Sequence, residues 1–141
     1  MKFIAGDIHL TKSHLVKLPD LNGVEIGGNF GCRNNRMTSL EGAPLEVNGY
    51  FDCAYNQLTS LEGGPKEVGG AFYCNDNNLS SLKGCPEKIS FNFDCSDNNL
   101  TSLEGCPKEV GGYFDCHNNA VKFTEEQVRA VCKVRKGSIL L

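Results

Sequence analysis

A single spacing constrains this chain more than any other feature. Cys32, Cys53, Cys74, Cys95 and Cys116 each lie 21 residues after the last. Two residues before each cysteine stands Phe30, Phe51, Phe72, Phe93 or Phe114, and three residues after it Asn35, Asn56, Asn77, Asn98 or Asn119. Five residues after the cysteines come Met37, Leu58, Leu79, Leu100 and Val121. A fixed period of this size means one supersecondary unit stacked on itself, with each copy burying the apolar face of the next. The 141 residues then make one domain, most of it array.

The repeat built on Cys74 shows how one unit is read. Val68, Phe72 and Cys74 alternate as a short strand with one face buried. Asn77 ends the strand, and an inward Asn side chain there can satisfy backbone groups of two successive rungs. Leu79 and Leu82 turn inward, and Gly84-Cys85-Pro86 breaks the path back to Ile89. A glycine and a proline in so short a return leave no room for an ordinary helix. The fold expected is mainly β: a right-handed solenoid with a parallel sheet on its concave face and an extended or 3₁₀-like, helix-poor convex side.

Residues 1–23 read as an N-terminal cap and a worn rung, with Ile8-His9-Leu10 in place of Phe-x-Cys. Residues 24–123 hold five repeats, and 124–141 a C-terminal helical cap. Thr124-Glu125-Glu126-Gln127 matches a capping box, flanked by Phe123 and Val128 as a hydrophobic staple. Val128, Val131 and Cys132 share a helical face, Gly137 stands where a C′ glycine belongs, and the helix should shield Phe114 and Val121.

Eight cysteines invite disulfides or metal, but their columns point elsewhere. Cys85 and Cys106 share a column with Ala43 and Gly64, so that site wants a small apolar group. Rungs about 4.8 Å apart are too widely spaced for the Cβ separation of a disulfide. No C-x-x-C occurs, and no His recurs in register to complete a zinc set. The thiols are expected free and buried, with no cofactor.

Three charged columns carry a further pattern. Glu62/Lys83/Glu104, Lys66/Glu87/Lys108 and Glu67/Lys88/Glu109 all reverse sign at the middle repeat. Opposite charges facing each other across adjacent strands are favourable, so these columns read as inter-rung pairs. Phe91, in a column otherwise Gly28, Gly49, Gly70 and Gly112, has the parity of a core residue.

At this point the residues resemble a known family. Val-x-x-x-Phe-x-Cys-x-x-Asn-x-Leu-x-x-Leu resembles the core of leucine-rich repeats, with Phe and Cys in place of two leucines. The period is similar to the short bacterial class, and the wording of Leu103 to Cys116 resembles small leucine-rich-repeat proteins of tailed bacteriophages. The resemblance spans about residues 24–123. It implies a scaffold that binds protein and no activity that transfers residue by residue.

With Phe and Cys inward, the residues between and beside them face out. There stand all four tyrosines (Tyr50, Tyr55, Tyr73, Tyr113) and five of the seven aspartates: Asp52, Asp76, Asp94, Asp97 and Asp115. His117 joins them, and Arg33 is the lone Lys or Arg of the set. Tyr is enriched in interface cores and Asp is not, so the face suits a partner carrying a basic patch. Asp94 and Asp115, stacked in one column, are the expected receiver of a Lys or Arg.

A formal charge of −3 without clustered Lys and Arg argues against nucleic acid. No apolar run suggests a signal peptide or membrane span, which leads to an expectation of a cytoplasmic monomer, in a host cytoplasm if phage-encoded. No convergent base, nucleophile or metal set suggests an enzyme. The expected function is a non-catalytic protein-binding scaffold, with inhibition of a host defence or regulatory factor as one form of it. The alternative is a structural or self-associating assembly protein.

Overall fold

The computed structural model describes residues 2–141. The chain forms a parallel β-solenoid of seven rungs, each contributing one short strand to each of two sheets. Rung 1 holds β1 (Lys2–Ile4) and β2 (Ile8–His9), and rung 2 holds β3 (Val24–Ile26) and β4 (Phe30–Gly31). Rung 3 holds β5 (Glu46–Val47) and β6 (Phe51–Asp52), and rung 4 holds β7 (Glu67–Val68) and β8 (Phe72–Tyr73). Rung 5 follows with β9 (Lys88–Ile89) and β10 (Phe93–Asp94), and rung 6 with β11 (Glu109–Val110) and β12 (Phe114–Asp115). After the single helix α1 (Glu125–Val131), rung 7 closes the stack with β13 (Lys133–Val134) and β14 (Ile139–Leu140). Odd-numbered strands make the first sheet and even-numbered strands the second, all in parallel register.

The stretch from Val68 to Cys74 reads from its alternation as one strand, yet the chain splits it between the sheets. The break falls at Gly69-Gly70. A Cβ built on Gly70 would lie 2.7 Å from the Gly49 backbone, closer than any real side chain tolerates. Two residues without side chains let successive backbones pack at a tight corner, so the path bends while each amide still reaches the previous rung.

Between the sheets runs a dry core. The phenylalanine rings stack rung on rung at 5.2–6.1 Å between centroids, and the Met/Leu columns behind them are fully buried through Leu100. The Asn column does what its position requires. Asn77 Oδ1 accepts from Leu58 N (3.0 Å), while Nδ2 donates to Cys53 O (3.1 Å) and Cys74 O (3.2 Å). Asn56 and Asn98 repeat this pattern, so the turn after the second sheet leaves no buried side-chain polar atom unpaired among the described residues. The return to the next rung holds no helix and no strand, as the glycine and proline there imply.

The sign-reversing columns do pair across rungs: Lys83–Glu62 at 3.3 Å, Lys88–Glu109 at 3.5 Å and Lys108–Glu87 at 3.6 Å. Several side chains depart from their expected places. Phe91 is 60% exposed rather than in the core; its corner, tight against the preceding rung, has no inward room for a ring. Val121 is 41% and Val131 48% exposed. Thr124 and Gln127 form the reciprocal capping box, but the helix ends one turn sooner than expected, at Cys132 in extended backbone. It therefore buries Val128 and Cys132 and leaves Val121 and Val131 to solvent. Gly137 is no helix cap; it lies at the corner of rung 7, packed on Gly112. The helix thus interrupts the solenoid, and residues 133–141 return to continue both sheets.

Candidate functional site

The outer face of the second sheet carries every residue singled out from the sequence, and it divides into two halves. Toward rung 2, Arg33 Nη1 pairs with Asp52 Oδ2 at 3.3 Å, and its guanidinium lies 5.3 Å from the centre of the Tyr55 ring. The Tyr50 and Tyr73 rings follow, tilted at 6.5 Å between centroids. Toward rung 6, His117 Nδ1 lies 2.5 Å from Asp115 Oδ1, and its Nε2 lies 3.7 Å from Asp97. Tyr113 stands over this half with its phenol pushed above the usual range, first by burial, then by Tyr73 and the charges of Asp94 and Asp115.

Backbone geometry explains much of the residue choice. Asp52 Oδ1 accepts from Ala54 N (3.0 Å), Asp94 Oδ1 from Ser96 N (2.9 Å) and Asp115 Oδ1 from His117 N (3.1 Å). Each aspartate thereby closes a turn two residues on, where the chain leaves the sheet. Alternation cannot reveal this, but the Asp-Cys step that recurs at the end of the strand is the local signal for it. Asn29 and Asn92 are likewise engaged, accepting from Tyr50 N (2.9 Å) and Tyr113 N (3.1 Å) across one rung.

The next column is held in left-handed backbone: Asn34, Asp76, Asp97 and Asn118 have φ of 53–57°. Asn and Asp are the side chains that tolerate this conformation. Asp76 and Asp97 are therefore there in part for the backbone's sake. Tyr55, φ 56° and 46% exposed, is the exception in the column.

The acidic pair is less free than its sequence suggests. Burial pushes the carboxyls of Asp52 and Asp94 upward, opposed for Asp52 by the Ala54 amide and Arg33, and for Asp94 by Ser96. His117 is raised, chiefly by its hydrogen bond to Asp115, with Asp97 and Asp94 adding to it. When protonated, His117 answers part of the negative charge. The Oδ2 atoms of Asp94 and Asp115 take no hydrogen bond among the described residues, but Asp115, like Asp52, is buried at 7% exposure rather than open on the face. His117, placed on this face from the sequence, is tied into the cluster by Asp115 and Asp97.

The thiols take no part. All eight are free, and burial pushes Cys106 and Cys116 up to about 11 and Cys132 up to about 12, far from thiolate chemistry. No group of three or more metal-ligating side chains occurs among the described residues. One depression of about 600 Å³ lies on the outer face of the first sheet. The second-sheet face brings phenol rings, carboxylates and one guanidinium together on successive rungs. No protein-family model matches the chain, and neither a curated protein nor a solved structure matches it.

Proposed function

We propose that the chain is a non-catalytic scaffold whose second-sheet face docks a protein partner with a basic patch. The observation that carries this reading is Tyr55. A tyrosine in left-handed backbone costs on the order of 1 kcal/mol that Asn or Asp would avoid. The other rungs of the array place Asn or Asp at this position, so a strained, exposed tyrosine under Arg33 has a use other than folding. Tyr50, Tyr73 and Tyr113 extend the aromatic surface, and the unbonded oxygens of Asp94 and, set deeper, Asp115 would receive a Lys or Arg. The resemblance to leucine-rich repeats, and among them to the small phage proteins, supports the same class of role. On that resemblance the role is a cytoplasmic one, in the host if the chain is phage-encoded.

The experiment is affinity capture and titration with the wild type beside Tyr73→Ala, Tyr55→Asn and Asp94→Lys. The expected result is one partner held in a salt-sensitive complex and lost with the variants that remain folded. Unchanged affinity in Asp94→Lys would remove the acidic receiver, and ordered self-assembly without a partner would favour an assembly role.

A further inference from the structure

The first sheet's outer face carries charges that the fold itself does not use. Glu25, Glu46 and Glu67 stack in register on β3, β5 and β7 with no ion-pair partner among the described residues, and Lys66 beside them has none either. Beyond the midpoint the column turns basic: Lys88 on β9 and Lys133 on β13, with Arg135 reaching Glu109 between them at 2.6 Å. Acidic in one half and basic in the other, the face is complementary to its own reverse.

We infer that a second copy of this chain packs on this face, about a two-fold axis parallel to the strands and midway between rungs 4 and 5. That axis keeps each column and reverses the order of rungs, so rung 4 meets rung 5 of the second copy, rung 3 meets rung 6 and rung 2 meets rung 7. Glu67 then faces Lys88, Lys66 faces Glu87 and Glu25 faces Lys133, each pair occurring twice as an isologous interface requires. These residues are already adjacent at the centre of the face, where Lys66, Glu67, Glu87 and Lys88 line one depression of about 600 Å³. The like-signed meeting, Glu46 with Glu109, also occurs twice and is offset because Arg135 holds Glu109.

Phe91 completes the argument. It stands at the rung-5 corner, exposed, and lines a second depression with Lys88, Ser90 and Arg135. Under the axis its mate in rung 4 is Gly70, which offers no side chain. With the axis half a rung away, the two Phe91 rings come within about 5 Å along the stack, close enough to pack on each other over the glycines. An exposed aromatic that replaces the glycine of its column thus gains an apolar partner, ringed by ion pairs, in the arrangement of an interface core with a polar rim. Seven strands at about 4.8 Å span only about 29 Å, so the contact is small and the dimer is weak and salt-sensitive. The second sheet stays exposed on both outer sides, and this inference stands or falls independently of the proposed partner.

Sedimentation equilibrium across a wide concentration range, at low and high salt, reads the result. Wild type should dimerise at low salt and dissociate as salt rises. Glu67→Lys sets a new lysine against Lys88 of the second copy, and Lys88→Glu sets a new glutamate against Glu67. Each variant alone should therefore dimerise at least tenfold more weakly. Mixed together they should pair with each other at near wild-type strength, which loss of folding could not produce. Phe91→Gly, which restores the residue of the column, should also weaken the dimer. A wild type that stays monomeric throughout overturns the inference, as do single variants that dimerise like wild type or a mixture that fails to recover.

Discussion

The two sheets are cut from the same repeat and built on different physics. The second is backed by large residues: a continuous phenylalanine stack, a column of thiols reaching the next rung's carbonyls at 3.3–3.4 Å, and the asparagine ladder at its end. The first is backed by one column of Val and Ile and cornered by glycine pairs. Outside, the contrast reverses. The first sheet's charges reach across rungs or stay unpaired, whereas the second sheet's carboxylates fold back onto their own turns. A repeat can thus put its stability under one face and leave the other to be written by charge.

The largest expected effect tests that asymmetry directly. Phe72→Ala should cost about 3–5 kcal/mol in denaturant unfolding, since it empties a ring-sized volume in a close-packed stack. Val68→Ala on the same rung removes only two methyl groups and should cost about 2 kcal/mol. Equal losses would mean that the core is not centred beneath the second sheet.

Next comes the ladder. Asn77→Ala strands the Leu58 amide and takes one of two asparagine donors from each of the Cys53 and Cys74 carbonyls, for a loss of about 2 kcal/mol. Hydrogen exchange should show the Leu58 amide losing protection ahead of the first-sheet amides. Protection that falls equally on both sheets would assign the ladder to the whole solenoid.

Tyr55→Asn should act in the opposite direction. Relieving the left-handed tyrosine is expected to stabilise the fold by about 1 kcal/mol while weakening partner binding. A variant both less stable and equally active would show that Tyr55 serves packing.

Smaller still are the first-sheet and turn charges. Lys83→Glu should shift stability by no more than about 0.5 kcal/mol, the usual worth of an exposed pair, and adding Glu62→Lys should recover it.

The smallest effect is pH-dependent. His117 is raised in the folded state, so its contribution is fully present below its unfolded value, about 6.5, and is lost as pH rises through the raised folded one. An NMR titration of the His117 ring should show the elevation shrinking in Asp115→Asn, with a lesser change in Asp97→Asn. An unchanged midpoint in both would detach His117 from the carboxylates.

Much of this molecule is legible in one dimension because a period converts sequence position into spatial column. Phe72, Cys74 and Asn77 declare their burial by recurring, and Lys83, Lys88 and Lys108 declare their partners by reversing sign against neighbours 21 residues away. The helix start is equally plain, since a capping box is a local bond pattern. What alternation misjudges lies at corners and ends. Phe91 has inward parity only if the strand runs straight through the glycines, and Val121 is covered only if the helix lies where a longer one would. For the candidate face, membership could be read but not posture: Asp94 and Asp115 look free until their Asx turns and His117 are seen.

By itself, the sequence determined the rung, its stacking and the inward Phe, Cys and Asn columns, because burial and hydrogen-bond satisfaction act on each repeat alike. Tertiary structure alone decided that each rung bends into two sheets, that residues 133–141 resume the solenoid after the helix, and that Tyr55 sits in left-handed backbone. These depend on how close one backbone comes to the next, a distance that no residue pattern states.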